Sequence, residues 1–119
     1  MLPIAATFCY KTADPYAVQV TFHPGLTPDV VWFLERDLLL EGTQSFAGLG
    51  DVCVWPATGP HGEARVVLRL GSELENACFQ FDRHALRSWL AGTESLVARG
   101  SESAQLDWTP FARLLADSC

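Results

Sequence analysis

Residues 10–22, YKTADPYAVQVTF, restrict the fold more than any other part of the chain. From Tyr16 the sequence alternates: Tyr16, Val18, Val20 and Phe22 fall on one side, Ala17, Gln19 and Thr21 on the other. A period of two in β-branched and aromatic residues describes a half-buried strand. Ahead of it, Ala13-Asp14-Pro15 is turn chemistry, because Asp hydrogen-bonds backbone two residues on and Pro fixes φ and pushes Asp14 towards extended geometry. His23-Pro24-Gly25 stops the strand. Its apolar face is large and aromatic, so a second layer has to cover it.

Further strands follow from the same rules. Residues 3–9 form a short apolar run that reads as a strand. Residues 30–35, VVWFLE, are apolar on both faces except at the end. Such a strand is covered on both sides, or turns its second face to another subunit. Residues 36–41, RDLLLE, lack β-branched side chains and precede Gly42, a suitable C′ residue, so one helical turn and a continuing strand both fit. Residues 43–50 read as a loop. Residues 51–55 read as a strand with Val52 and Val54 on one face, Cys53 and Trp55 on the other, ended by Pro56. Residues 58–62 are a second loop. Residues 63–70 and 76–81 alternate again and make a hairpin. A loop over residues 71–74 pairs Leu70 with Glu75, Leu68 with Ala77 and Val66 with Phe79, which buries less charge than a two-residue loop.

A helix is predicted over residues 82–91, with Asp82 as N-cap, Gly92 at C′ and a stripe of Ala85, Leu86, Trp89 and Leu90. Residues 93–104 are polar and read as a mobile connection. Thr109-Pro110 then opens a last helix with Phe111, Leu114 and Leu115 on its apolar side. Strands first and helices after describe an α+β fold: antiparallel sheets packed with two helices. At 119 residues this is one domain.

Composition narrows the function. The net charge is −6 and the eight Lys and Arg residues are scattered. A phosphate-backbone binder gains most from clustered cations, so nucleic acid is disfavoured. The four cysteines have no CxxC spacing and no nearby His, and read as small buried thiols in a reduced cytoplasmic protein. The start, Met1-Leu2-Pro3-Ile4, lacks the basic region of a signal peptide, and no run is long enough to span a membrane.

No stretch carries a recognisable catalytic pattern. Ser45 misses the nucleophile-elbow spacing, and Gly48-x-Gly50 precedes a strand where a phosphate loop needs a helix. His23, His61 and His84 sit in a strand end, a loop and a helix. Glu35, Asp37 and Glu41 around Arg36 read as a solvated charged rim rather than an acid/base pair. Arg65 and Arg69 against Glu73 and Glu75 read as surface ion pairs across the hairpin. What remains is protein binding. Trp32 and Trp55 are the candidate aromatic anchors, and Arg36, Leu38 and Leu40 complete the candidate contact set.

Four blocks resemble the SsgA-like family of sporulation and cell-division regulators of filamentous actinomycetes, and are most similar to its SsgB type. They are Tyr10-x-Thr12-Ala13-Asp14-Pro15-Tyr16-Ala17-Val18 through Phe22-His23; Trp32 with Arg36-Asp37-Leu38-Leu39 and Glu41-Gly42; Gly48-x-Gly50-Asp51-Val52-x-Val54-Trp55-Pro56; and Ala85-Leu86-x-Ser88-Trp89-Leu90. The resemblance implies a non-enzymatic protein, without cofactor or metal, that acts at the septum of sporulating hyphae. It implies recruitment of the tubulin-like protein FtsZ and promotion of its polymerisation, with membrane-tethered division proteins as further partners. It implies a fold like the whirly and guide-RNA-binding proteins, in a homotrimer, without direct membrane insertion. Single-stranded nucleic-acid binding of the whirly type is the alternative that this kinship raises, and the charge of −6 weighs against it.

Overall fold

The computed structural model describes residues 4–106. The alternating segment becomes β2 (Asp14–His23), the centre of a three-stranded antiparallel sheet with β1 (Ala5–Lys11) and β3 (Val30–Glu35) on either side. Val18, Val20 and Phe22 face inward and are buried. Tyr16, of the same parity, is exposed. The β1–β2 register jumps from Tyr10↔Val18 to Lys11↔Asp14, so Pro15, Tyr16 and Ala17 have no ladder partner on β1. A bulge of this kind bends the strand and re-aims its side chains.

On β3 only one face is covered. Leu34 opposes Val18 and is buried, whereas Val31 and Phe33 oppose Thr21 and Gln19 on the outer face and are exposed. Among the described residues, therefore, no second layer covers the outer face of β3.

Residues 36–41 resolve as a helix, α1 (Arg36–Gly42), which buries Leu38 and Leu39. Gly42 is its last residue rather than the position beyond its end. A Cβ there would overlap the Val54 side chain, so Gly42 is needed for close approach to the second sheet. The expected loop 43–50 contains a short strand, β4 (Ala47–Leu49).

The second sheet runs β4, β5 (Val52–Thr58), β6 (Ala64–Gly71), β7 (Asn76–Asp82), all antiparallel. Pro56 does not end β5; it pairs with Val66. β4 stops opposite Val54, so Pro56 lies where that edge is open and a missing N–H costs nothing. The β6–β7 hairpin has the expected faces but a register slid by two: Leu70↔Ala77, Leu68↔Phe79, Val66↔Phe81. Gly71 takes a φ of +113° and pairs with Asn76, whose side chain donates to the carbonyls of Ser72 (2.8 Å) and Glu73 (3.2 Å). The turn thus occupies residues 72–75 and leaves Glu75 outside the ladder. A slide by two keeps every side chain on its face, so parity could not choose between the registers.

Asp82 caps α2 (Arg83–Leu96), its Oδ1 accepting from the Ala85 amide at 2.8 Å. The helix continues past Gly92. Its buried stripe is Leu86, Leu90 and Thr93, prolonged by Val97, which follows the helix. Residues 93–104 are thus no polar connection: they supply the last turn of α2, the buried Val97 and Glu102, and the start of a 3₁₀ turn (Glu102–Gln105). The helix expected from Thr109-Pro110 lies outside the described residues.

The two inner sheet faces meet in one core with α1 and α2 at its margin. Phe22 stacks on Phe79 with centroids 4.2 Å apart, and Phe8 sits edge-on to Phe81 (5.3 Å) and Trp89 (5.4 Å). These rings join β1 and β2 to β7 and α2.

Two glycine substitutions have opposite expected signs. Gly42→Ala overpacks the α1–β5 contact and lowers stability by about 1–3 kcal/mol. Gly92→Ala adds a methyl into open space inside a helix and raises stability by up to about 1 kcal/mol. Urea midpoints measure both.

Candidate functional site

The polar groups that could carry chemistry are dispersed. His23 Nδ1 lies 3.0 Å from Asp29 Oδ2, and its Nε2 lies 2.8 Å from Thr7 Oγ1, a clamp at the end of β2. His61 and His84 are exposed on other elements. Among the described residues no group of three or more His, Cys, Asp or Glu side chains is placed to hold a metal. Two shallow clefts flank the first sheet. One, of about 180 Å³, is lined by Cys9, Lys11, Asp14, Ala17, Gln19 and Phe33. The other, of about 140 Å³, is lined by Tyr16, Glu35, Arg36, Asp37 and Glu102. Both fall short of the ~300 Å³ at which pockets begin to enclose a small molecule.

The strongest electrostatic feature is internal. Arg36, the first residue of α1, is 1% exposed. Its Nη1 donates to the carbonyls of Val97 (2.7 Å) and Thr93 (3.2 Å) at the C-terminal end of α2, where a cation is favoured. Its Nη2 donates to Glu102 Oε1 at 2.8 Å, and Glu102 Oε2 accepts from the Gly100 amide at 2.9 Å. The guanidinium carbon lies 5.0 Å from the centre of the Tyr10 ring. Tyr10 in turn donates its hydroxyl to the Pro15 carbonyl at 2.8 Å. Burial pushes the Tyr10 phenol up, with the Arg36 charge opposing it. The hydrogen bond from Arg36 holds the Glu102 carboxyl below the usual range.

The charged rim expected around Arg36 is real but lies outside it. Arg99 Nε donates to Asp37 Oδ1 (2.9 Å) and Nη2 to Glu41 Oε1 (3.4 Å), all three side chains being about half exposed. Pairs this exposed contribute little.

Two of the five predicted contact residues are unavailable to a partner. Arg36 belongs to the clasp just described, and Leu38 is 8% exposed. Trp32 and Leu40 are half-buried against the core. Trp55 is half-buried, and Phe46 stacks on it at 5.9 Å. The apolar side chains that do reach solvent lie outside that contact set: Phe33 (65% exposed) with Val30 and Val31 on β3, the strand whose second face the sequence offers to another subunit, and Phe46 (66%) with Leu49 around β4. Phe33 had a signal, since the polar parity of Gln19 and Thr21 marks the outer face that a paired β3 shares. Phe46 had none, because its place depends on β4.

The expected ion pairs of Arg65 and Arg69 with Glu73 and Glu75 do not form. In the observed register Arg65 opposes Asp82 and pairs with Glu63 at 3.5 Å; Arg69 opposes Cys78, and its Nη2 donates to Cys53 Sγ at 3.3 Å. Cys9, Cys53 and Cys78 are free thiols, and Cys78 is exposed rather than buried. Among the described residues no helix is long and apolar enough to cross a membrane.

The chain belongs to a family of sporulation and cell-division proteins: the SsgA family, the Streptomyces sporulation and cell division proteins, whose pattern matches residues 4–102. Within that family it is similar to the sporulation-specific cell division protein SsgB of Streptomyces coelicolor, 41% identical over 98% of this chain and 85% of the relative. SsgB of Salinispora tropica is 44% identical over 97% and 82%. A solved structure from work correlating SsgB mutations with longitudinal cell division during sporulation of Streptomyces coelicolor superposes with a TM-score of 0.81 at 42% identity, covering 87% of this chain and 81% of that one. The SsgA-like sporulation-specific cell division protein of Thermobifida fusca also gives 0.81, at 31% identity over 99% and 83%. The chain's role therefore lies in sporulation-specific cell division.

Arg36→Ala strands the Val97 carbonyl and leaves the buried Glu102 carboxylate with only the Gly100 amide among the partners described above, and is expected to lower stability by about 3 kcal/mol or more. Because the folded Glu102 carboxyl is depressed, its stabilisation is complete above the ordinary Glu value of about 4.3 and is lost as pH falls through the folded value. The stability difference between the native chain and Glu102→Gln, measured by urea unfolding, should be smaller at about pH 3 than at neutral pH. A difference that does not change with pH contradicts the assignment.

Proposed function

We propose that this chain is a non-enzymatic adaptor that helps to localise FtsZ, or to promote its assembly, at septum sites during sporulation. It works as a homo-oligomer, with a trimer as the expected state. The observation that carries this reading is the outer face of β3. Phe33 and Val31 stand in solvent on a strand that is also the edge of its sheet. A monomeric protein gains nothing from an exposed apolar edge, which templates pairing with another chain. Covering it with a second copy removes that liability and leaves the remaining surface for the division machinery. The similarity to proteins named SsgB supports the setting. The small clefts and dispersed titratable groups favour binding over catalysis.

Two measurements test the reading. Folded protein should pellet with FtsZ polymers on co-sedimentation; its retention in the supernatant removes the recruitment claim. Phe33→Asp should shift the assembly towards the monomer in light scattering without lowering the unfolding temperature of the isolated chain. An unchanged mass removes β3 from the interface.

A further inference from the structure

The outer face of the second sheet carries a cation with no carboxylate partner among the described residues, beside the exposed Phe46 ring and the half-buried Trp55 ring. Directly opposed residues share a face, so Trp55, Val67 and Gln80 form one row and Cys53, Arg69 and Cys78 the next. Trp55 therefore lies diagonal to Arg69, within reach of a long side chain. Phe46 stacks on Trp55 from the β4 side and is two-thirds exposed. A Cβ on Gly48 would come within 3.4 Å of the Phe46 ring and 3.3 Å of Cys53 Sγ, so the absence of a side chain there makes room for the ring. Val67 points outward in this row yet is buried among its large neighbours.

Arg69 is the cation of this patch. Like Lys11, Arg83 and Arg87, and unlike Arg36, Arg65 and Arg99, it has no carboxylate partner among the described residues. Its Nη2 donates to a thiol sulfur, a weak acceptor, and its Nε–H is buried without any acceptor. The Nε–H is out of a partner's reach, as is the equally unpaired Nε–H of Arg36, so a docked carboxylate would meet the Nη groups of Arg69, which form charge-assisted hydrogen bonds to such an acceptor.

We propose that the Phe46–Trp55–Arg69 patch docks an acidic segment of a partner protein, with a carboxylate on Arg69 and a neighbouring aromatic or branched aliphatic side chain against the Phe46 and Trp55 rings. This rests on the adaptor reading and specifies the chemistry of one partner surface. A peptide fits better than a nucleic acid, because the patch holds a single arginine, which cannot follow a phosphate backbone.

The test uses the full chain and a short fluorescein-labelled peptide that alternates Asp with Leu and Phe, read by anisotropy. The same peptide with Asn for Asp, and an unlabelled single-stranded oligonucleotide as competitor, serve as controls. Binding should weaken with salt and vanish for the Asn peptide. Arg69→Gln should weaken it about tenfold, the loss of one charge-assisted contact. Phe46→Ala, at an exposed position, should weaken it without disturbing the fold, and Leu74→Ser, at the tip of the β6–β7 turn, should leave it unchanged. The proposal is overturned by absent binding, by equal binding of the Asn peptide, by Arg69→Gln or Phe46→Ala binding like the native chain, by displacement with the oligonucleotide, or by Arg69→Gln dissociating the oligomer, which would make the patch a self-contact. Peptide binding without FtsZ co-sedimentation removes the adaptor reading alone. Co-sedimentation that survives both substitutions, with no peptide binding, removes the patch alone.

Discussion

The guanidinium of Arg36 ties together parts of the chain that share no sheet. It holds the first turn of α1, the last carbonyls of α2, the ring of Tyr10 on β1 and, through Glu102, the segment that follows α2. A charge this deep is tolerated only because the carbonyls and the carboxylate replace the water it lost. Removing one member leaves the others buried and unsatisfied. The clasp therefore makes the placement of α2 and of residues 97–102 conditional on α1, and α1 is the link between the two sheets. Hydrophobic burial supplies the bulk of the core, and the clasp selects one arrangement of the helices around it.

The functional consequence lies in what this arrangement leaves uncovered. α1 and α2 contribute to the core between the facing sheets, so among the described residues no helix roofs either outer sheet face. On the first sheet that exposes Phe33 and Val31; on the second it exposes Phe46 beside Trp55 and Arg69. The two surfaces differ in kind. The first is an apolar strand at an open edge, suited to pairing with an extended backbone or a second copy. The second mixes aromatic rings with an unpaired cation, which gives charge selectivity in place of bulk adhesion. The adaptor proposed above can use two such faces at once.

Much of the fold was legible in the residues. The alternation in β2, the outward parity of Gln19 and Thr21, the Asp82 cap and the stripe through Leu86 and Leu90 are local signals, and each appears where it was expected. The errors were also local in origin. β4 is three residues long, with Gly48 inside it and Gly50 after it, so no period could announce it. Gly92 looks like a terminus but sits inside a helix that tertiary burial of Thr93 and Val97 carries onward. Pro56 was read as a stop because nothing in the sequence told that its edge was free.

Contact residues were less legible, and Arg36 shows why. Among acidic neighbours beside a leucine run it has the composition of a surface rim, and its burial depends on Glu102, sixty-six positions away. Side-chain periodicity, turn chemistry and capping act over a few residues, so the chain alone determined the strands other than β4, the start of the longer helix, the α+β class and the family resemblance. Which large side chains stay in water is decided by which faces meet when distant segments pack. That choice, with the two-residue slide of the β6–β7 ladder that left Arg69 without its expected carboxylates, was made only in the tertiary structure.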